Sequence, residues 1–87
     1  MKTKLYNLLE NKQDDIKYLI QIGVVSPVIT RNLEIYRLYL DLREKGHYNR
    51  DCYMAIADEF KPKISYSTVK KVIFDLSAPV KDPDANN

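Results

Sequence analysis

"IADEFKPKISYSTVKKVI", residues 56–73, decides how the chain is read: two short amphipathic stretches separated by the charged, proline-containing break Lys61–Pro62–Lys63. Before the break, Tyr53, Ile56, Ala57 and Phe60 recur at helical spacing, and Pro62 biases Lys61 away from helical backbone, so a helix ends there. After it, Ser65 is placed to cap a second helix whose inward face is Val69, Val72, Ile73 and Leu76.

Working back towards the N-terminus, "HYNRDCYMAIADEF" opens the first of these helices, with Asn49 expected as its cap and Asp51 in the first turn, where the helix dipole favours an acid. "PVITRNLEIYRLYLDLREKG" precedes it and is the most apolar segment of the chain. Ile29, Leu33, Ile35, Tyr36, Leu38, Tyr39, Leu40 and Leu42 take up well over half its circumference. A helix that apolar has to be covered on more than one side, which predicts the hub of the fold, or a hub plus a dimer interface. Ser26 is placed to cap it, Pro27 suits its first position, and Gly46 stops it.

The first segment, "TKLYNLLENKQDDIKYLIQIG", sets Leu5, Leu8, Leu9, Ile16, Leu19 and Ile20 at helical intervals. Thr3 is placed to cap it and Gly23 to end it in a left-handed conformation. Lys12 and Asp15 interrupt the stripe, so the helix is expected to bend or split in two there. The expected fold is therefore all-α, a small bundle of about four helices near residues 3–22, 27–45, 50–60 and 66–76. Residues 1–76 form one domain, and "SAPVKDPDANN", residues 77–87, reads as a disordered tail because it has two prolines and almost no large apolar residue.

Composition narrows the function classes. Of 87 residues, 45% are hydrophobic and 30% charged, which suits one small globular domain. A net charge of +2 excludes a histone-like polycation, so any electrostatic footprint has to be local. Cys52 is the sole cysteine, so no internal disulfide can form and a reducing, cytoplasmic setting is expected. "IQIGVVSPVI" is too short, and too broken by Gly23 and Pro27, to span a bilayer, so no membrane partner is expected.

Catalytic readings find little footing. His47 is the sole histidine, which leaves neither a zinc cage nor a well-supported Cys–His pair. Asp14–Asp15 and Asp58–Glu59 are adjacent acids that point to different sides of a helix, which suits solvation better than paired acid–base work. Neither an enzyme, a cofactor nor a small-molecule substrate is expected.

The segment "AIADEF…ISYSTVKKVI" resembles the helix-turn-helix of bacterial and phage DNA-binding proteins, with the pair falling at about residues 49–76. Such a pair needs a small residue where two helices cross steeply, here Ala57, and branched residues on the second helix to fix the angle. The turn departs from the usual pattern: it is about two residues longer and lacks glycine. The resemblance implies double-stranded DNA as partner, a role in transcription regulation, and the last helix in the major groove. The residues it would present are Ser65, Tyr66, Ser67, Lys70, Lys71 and Phe74, with Lys61 and Lys63 beside them. Hydroxyls can bond phosphates or base edges, and lysines can reach phosphates or guanine. It also implies a homodimer reading two half-sites about 34 Å apart, with the twofold contact expected in the apolar excess of the first two helices. The competing reading is a helical protein–protein interaction module using the same pair as scaffold. The seven tyrosines favour it, because tyrosine suits interfaces.

Overall fold

The computed structural model describes residues 2–81. In chain order the elements are β1 (Lys2–Lys4), α1 (Leu5–Glu10), α2 (Gln13–Gln21), α3 (Val28–Glu44), α4 (Asn49–Glu59), α5 (Tyr66–Ser77) and β2 (Pro79–Lys81). The fold is an all-α small bundle, with a two-stranded ribbon at one end.

The anticipated first helix is two helices. The chain leaves helical geometry at Lys12 (φ −114°, ψ 23°), and α2 restarts with Asp14 and Asp15 in its first turn, the end of the dipole that favours acids. Thr3 does not cap α1. It lies in β1, paired with Val80 across an antiparallel ribbon that also joins Lys2 to Lys81 and Lys4 to Pro79. Leu5 N–H extends the ribbon by donating to Ala78 O at 2.9 Å. The segment read as tail from residue 77 is thus partly structured: Ser77 closes α5 and residues 79–81 are strand. Its unpromising composition is overcome by pairing with the N-terminus, and residues 82–87 lie outside the described part.

The two glycines act as expected. Gly23 (φ 81°) and Gly46 (φ 93°) occupy the left-handed region that a side chain disfavours. Each forms the paired bonds of a Schellman end: Val24 N–H to Leu19 O and Gly23 N–H to Ile20 O, then His47 N–H to Leu42 O and Gly46 N–H to Arg43 O. Ser26 Oγ accepts from Val28 N–H at 3.3 Å, while Pro27 already has helical angles (φ −59°, ψ −15°). Asn49, by contrast, is not a cap. It is the first residue of α4, and its Oδ1 accepts from Tyr39 Oη at 3.0 Å instead.

Helix α3 is the hub. It packs against α1, α4 and α5, and places Leu33, Ile35 and Tyr36 in the core, the last two at 0% and 1% exposure. Helices α4 and α5 pack on each other and contribute Ile56, Ala57, Val69, Val72, Ile73 and Leu76. Each of the larger aliphatic side chains contributes about 1.5–3 kcal/mol of transfer free energy when fully buried. Helix α2 has α1 as its main neighbour and adds only Ile16. No helix among the described residues is long and apolar enough to cross a membrane.

Candidate nucleic-acid interface

Helix α4 ends at Glu59, and Phe60 turns the chain into extended backbone (φ −83°, ψ 149°). Residues 60–65 then lead into α5, with a cis peptide bond between Lys61 and Pro62. Phe60 and Ile64, at the two ends of this turn, pack against the core and anchor it.

Ser65 caps α5 as its sequence position requires. Its Oγ accepts from Thr68 N–H at 3.1 Å and shares hydrogen bonds with Thr68 Oγ1 (2.7 Å) and Ser67 Oγ (3.2 Å). The hydroxyl cluster is exposed and sits at a helix end that, like any other, leaves first-turn N–H groups without intrahelical acceptors.

Inward, α5 buries Val69, Val72, Ile73 and Leu76. The opposite face therefore carries Ser67, Lys70, Lys71 and Phe74, spaced i, i+3, i+4 and i+7, and all four are exposed. Phe74 is 77% exposed, a large apolar ring in the middle of a hydrophilic face.

The lysines differ in their surroundings. Lys63 Nζ lies 3.4 Å from Asp58 Oδ1, and Lys71 Nζ lies 3.1 Å from Asp75 Oδ2, both on open surface. Lys61 and Lys70 are exposed and form no ion pair among the described residues. The basic patch is thus half matched by acids one helical turn away or across the turn. Such pairs in water are worth little, about 0–1 kcal/mol, and a phosphate can compete for them.

Tyr66 is part exposed and part packed. Its ring meets Tyr53 edge-on at 5.5 Å, the last step of a chain of aromatic contacts running Tyr6–Tyr36 (4.4 Å), Tyr36–Tyr39 (5.7 Å) and Tyr39–Tyr53 (6.1 Å). Tyr36 Oη also meets Ser77 Oγ at 3.0 Å, which ties α3 to the end of α5. Five of the seven tyrosines are thereby engaged inside the molecule. Their abundance, read from sequence as surface for a partner, largely serves internal packing. Burial, with Glu10 adding and Arg37 opposing, pushes the Tyr6 hydroxyl above its ordinary range, and burial does the same for Tyr53.

Sequence reading did not find the groove on the other side of Phe60. About 350 Å³ in volume, it has Ile16, Leu33 and Phe60 on its apolar lining and Lys17, Arg31 and Arg37 around it. Arg37 bridges Glu34 (3.0 Å) and Glu10 (3.4 Å), and hydrogen bonding to the Tyr6 hydroxyl is the largest influence holding its guanidinium above the usual range. The other Glu10 oxygen, Oε2, is buried without a hydrogen-bond partner. Residues from α1, α2 and α3 meet there at long sequence separation, and no local pattern announces them.

Cys52 is wholly buried, and burial raises its thiol. Its Sγ faces the backbone carbonyl of His47 at 3.9 Å. Among the described residues no group of three His, Cys, Asp or Glu side chains could hold a metal ion. Comparison of the chain with protein-family models, with curated proteins and with solved structures gave no match.

Proposed function

We propose that the chain binds double-stranded DNA as a small helix-turn-helix regulator of a bacterium, phage or mobile element, with α5 in the major groove. One observation carries the reading. Helix α5 is fixed by four buried residues on one side, and presents Ser67, Lys70, Lys71 and Phe74 to solvent on the other, beside the exposed hydroxyl cluster at its start. In this arrangement Lys61, Lys63, Lys70 and Lys71 attract phosphates, Ser65, Tyr66 and Ser67 set register and base preference, and Phe74 can contact a thymine methyl group.

The test is binding of labelled duplex at several salt concentrations. Lys70→Ala with Lys71→Ala should weaken binding alike for all sequences and reduce the salt slope by roughly 0.9 for each phosphate no longer neutralised. Tyr66→Ala or Ser67→Ala should instead change preference among sites, by about 1–3 kcal/mol for each base pair no longer read. Unchanged binding by the double lysine variant, or no binding of any duplex by the parent at low salt, overturns the reading.

A second reading, a protein-interaction module, is favoured by Phe74 at 77% exposure and by the pairing of Lys71 with Asp75. A partner held by Phe74 would be released by Phe74→Ala and would be nearly insensitive to salt, whereas DNA binding falls steeply with salt.

A further inference from the structure

From Tyr18 to Thr30 the chain runs for thirteen residues without a charge, although 30% of its residues are charged. The stretch is the end of α2, the Gly23 corner and the start of α3. It also holds four of the nine large hydrophobic side chains exposed among the described residues: Tyr18 (61%), Ile22 (53%), Val24 (68%) and Val28 (46%). Of the other exposed apolar side chains, Tyr66 and Phe74 belong to the α5 face already described, while Leu40, Tyr48 and Met54 are scattered over α3, the loop after it and α4, and isolated ones need no explanation.

Beside this ridge lies a groove of about 360 Å³, lined by Leu5, Leu9, Val25, Val28, Ile29 and Val72 among others. Its one charged lining residue, Asp75, is already paired with Lys71. Val24, the most exposed aliphatic of the ridge, is held by its N–H donating to Leu19 O at 2.9 Å, so it projects from a fixed corner.

We infer that this corner is a self-association surface, and that a second copy of the chain covers it about a twofold axis. A twofold contact places one patch against itself, so the patch must complement itself in shape and charge. A projecting apolar ridge adjoining an apolar groove meets the first condition, since each copy's Val24 can enter the other's groove. A run without charges meets the second, because no like charges are brought together. The proposal does not depend on DNA binding.

The test is sedimentation velocity of the full chain across micromolar concentrations, with circular dichroism as the check on folding. The parent should sediment as a dimer of the 10.2 kDa chain. Val24→Asp and, separately, Ile22→Lys should each raise the dimer dissociation constant at least about 10-fold while helicity is kept, as expected where a few central residues dominate an interface. Phe74→Asp, on the α5 face, should leave the dimer intact. A parent that stays monomeric at several hundred micromolar overturns the inference, as does a dimer that survives both corner substitutions or dissociates in Phe74→Asp instead. Should Val24→Asp lose helicity, Ile22→Lys decides by the same criterion. Loss of helicity in both would place these side chains in the fold and would also overturn it.

Discussion

Helix α5 buries Val69, Val72, Ile73 and Leu76, whereas α2, whose apolar residues are segregated to one side at least as sharply, buries Ile16 alone. On sequence the two look equivalent, each a short stretch with an apolar stripe. The difference is in their neighbours: α5 is held by α3, α4 and α1, while α2 has chiefly α1. Periodicity identifies the face that avoids water, and only the tertiary arrangement decides whether the same molecule covers it.

The largest effect expected from this contrast is in stability. Ile73, at 3% exposure, sits in a closed core, so Ile73→Ala should cost about 2–5 kcal/mol, which lowers Tm by roughly 4–8 °C per kcal/mol in a domain of this size. Ile16 lines an open groove, so removing its methyl groups enlarges a water-accessible space and leaves no sealed cavity. Ile16→Ala should fall near the bottom of that range, about 2 kcal/mol. Urea unfolding of both variants measures the gap. Equal losses would mean that α2 is as well supported as α5.

Helix starts give the next contrast. Ser65 Oγ accepts from a backbone N–H of α5, whereas the side chain of Asn49 accepts only from an exposed Tyr39 hydroxyl. Ser65→Ala should cost about 1 kcal/mol, and Asn49→Ala about 0.5 kcal/mol or less. Matching urea midpoints for the two variants would refute the assignment of the cap to Ser65 alone.

How far the chain could be read before folding follows from the same distinction. The pattern around Ser65, the stops at Gly23 and Gly46, the hub character of α3 and the buried face of α5 are local signals, and each is where it was expected. The break at Lys12 was visible as an interruption of the stripe. What escaped depends on distant partners. Thr3 has the chemistry of a cap, but its pairing with Val80 links residues at opposite ends of the chain. Pro79–Val80–Lys81 is too short to show strand periodicity. Asn49 satisfies the same composition rule as Ser65, and only the neighbouring Tyr39 redirects it. In the candidate interface the eight residues were legible as a face and a turn. The acids matched to Lys63 and Lys71 were not, because their significance lies in side-chain reach across the surface.

The tyrosine chain allows two of its members, far apart along it, to be compared by pH. Tyr6 and Tyr53 are both raised chiefly by burial, so the folded state holds their protons more tightly than the unfolded chain does. Their contribution to stability is full below the unfolded tyrosine value near 10 and is lost as pH rises through the higher folded values. Urea midpoints should therefore fall between about pH 9 and about pH 11, and Tyr6→Phe or Tyr53→Phe should each flatten part of that fall. A slope untouched by either substitution would place the alkaline sensitivity in other groups.

The smallest effects on stability, and the sharpest on the proposed interface, belong to the surface acids. Asp58 and Asp75 each hold one lysine of the patch, Asp58 at 3.4 Å from Lys63 and Asp75 at 3.1 Å from Lys71. Pairs this exposed contribute about 0.2–0.5 kcal/mol, so Asp58→Asn and Asp75→Asn should leave the urea midpoint almost where it was. On duplex DNA they should act in the opposite direction to lysine removal. Each substitution takes away a negative charge that competes with phosphate and frees a cation, so affinity at low salt should rise a few-fold, and the gain should fade as salt screens it. Asp58 is the cleaner probe, because Asp75 also lines the groove beside Val28, whereas Asp58 lines neither that groove nor the one at Phe60. A rise with Asp58→Asn that is absent in a Lys63→Ala background assigns the effect to Lys63 itself. No change in affinity with either acid removed would mean that phosphates do not approach this end of α5, and the DNA reading would then lose its electrostatic basis.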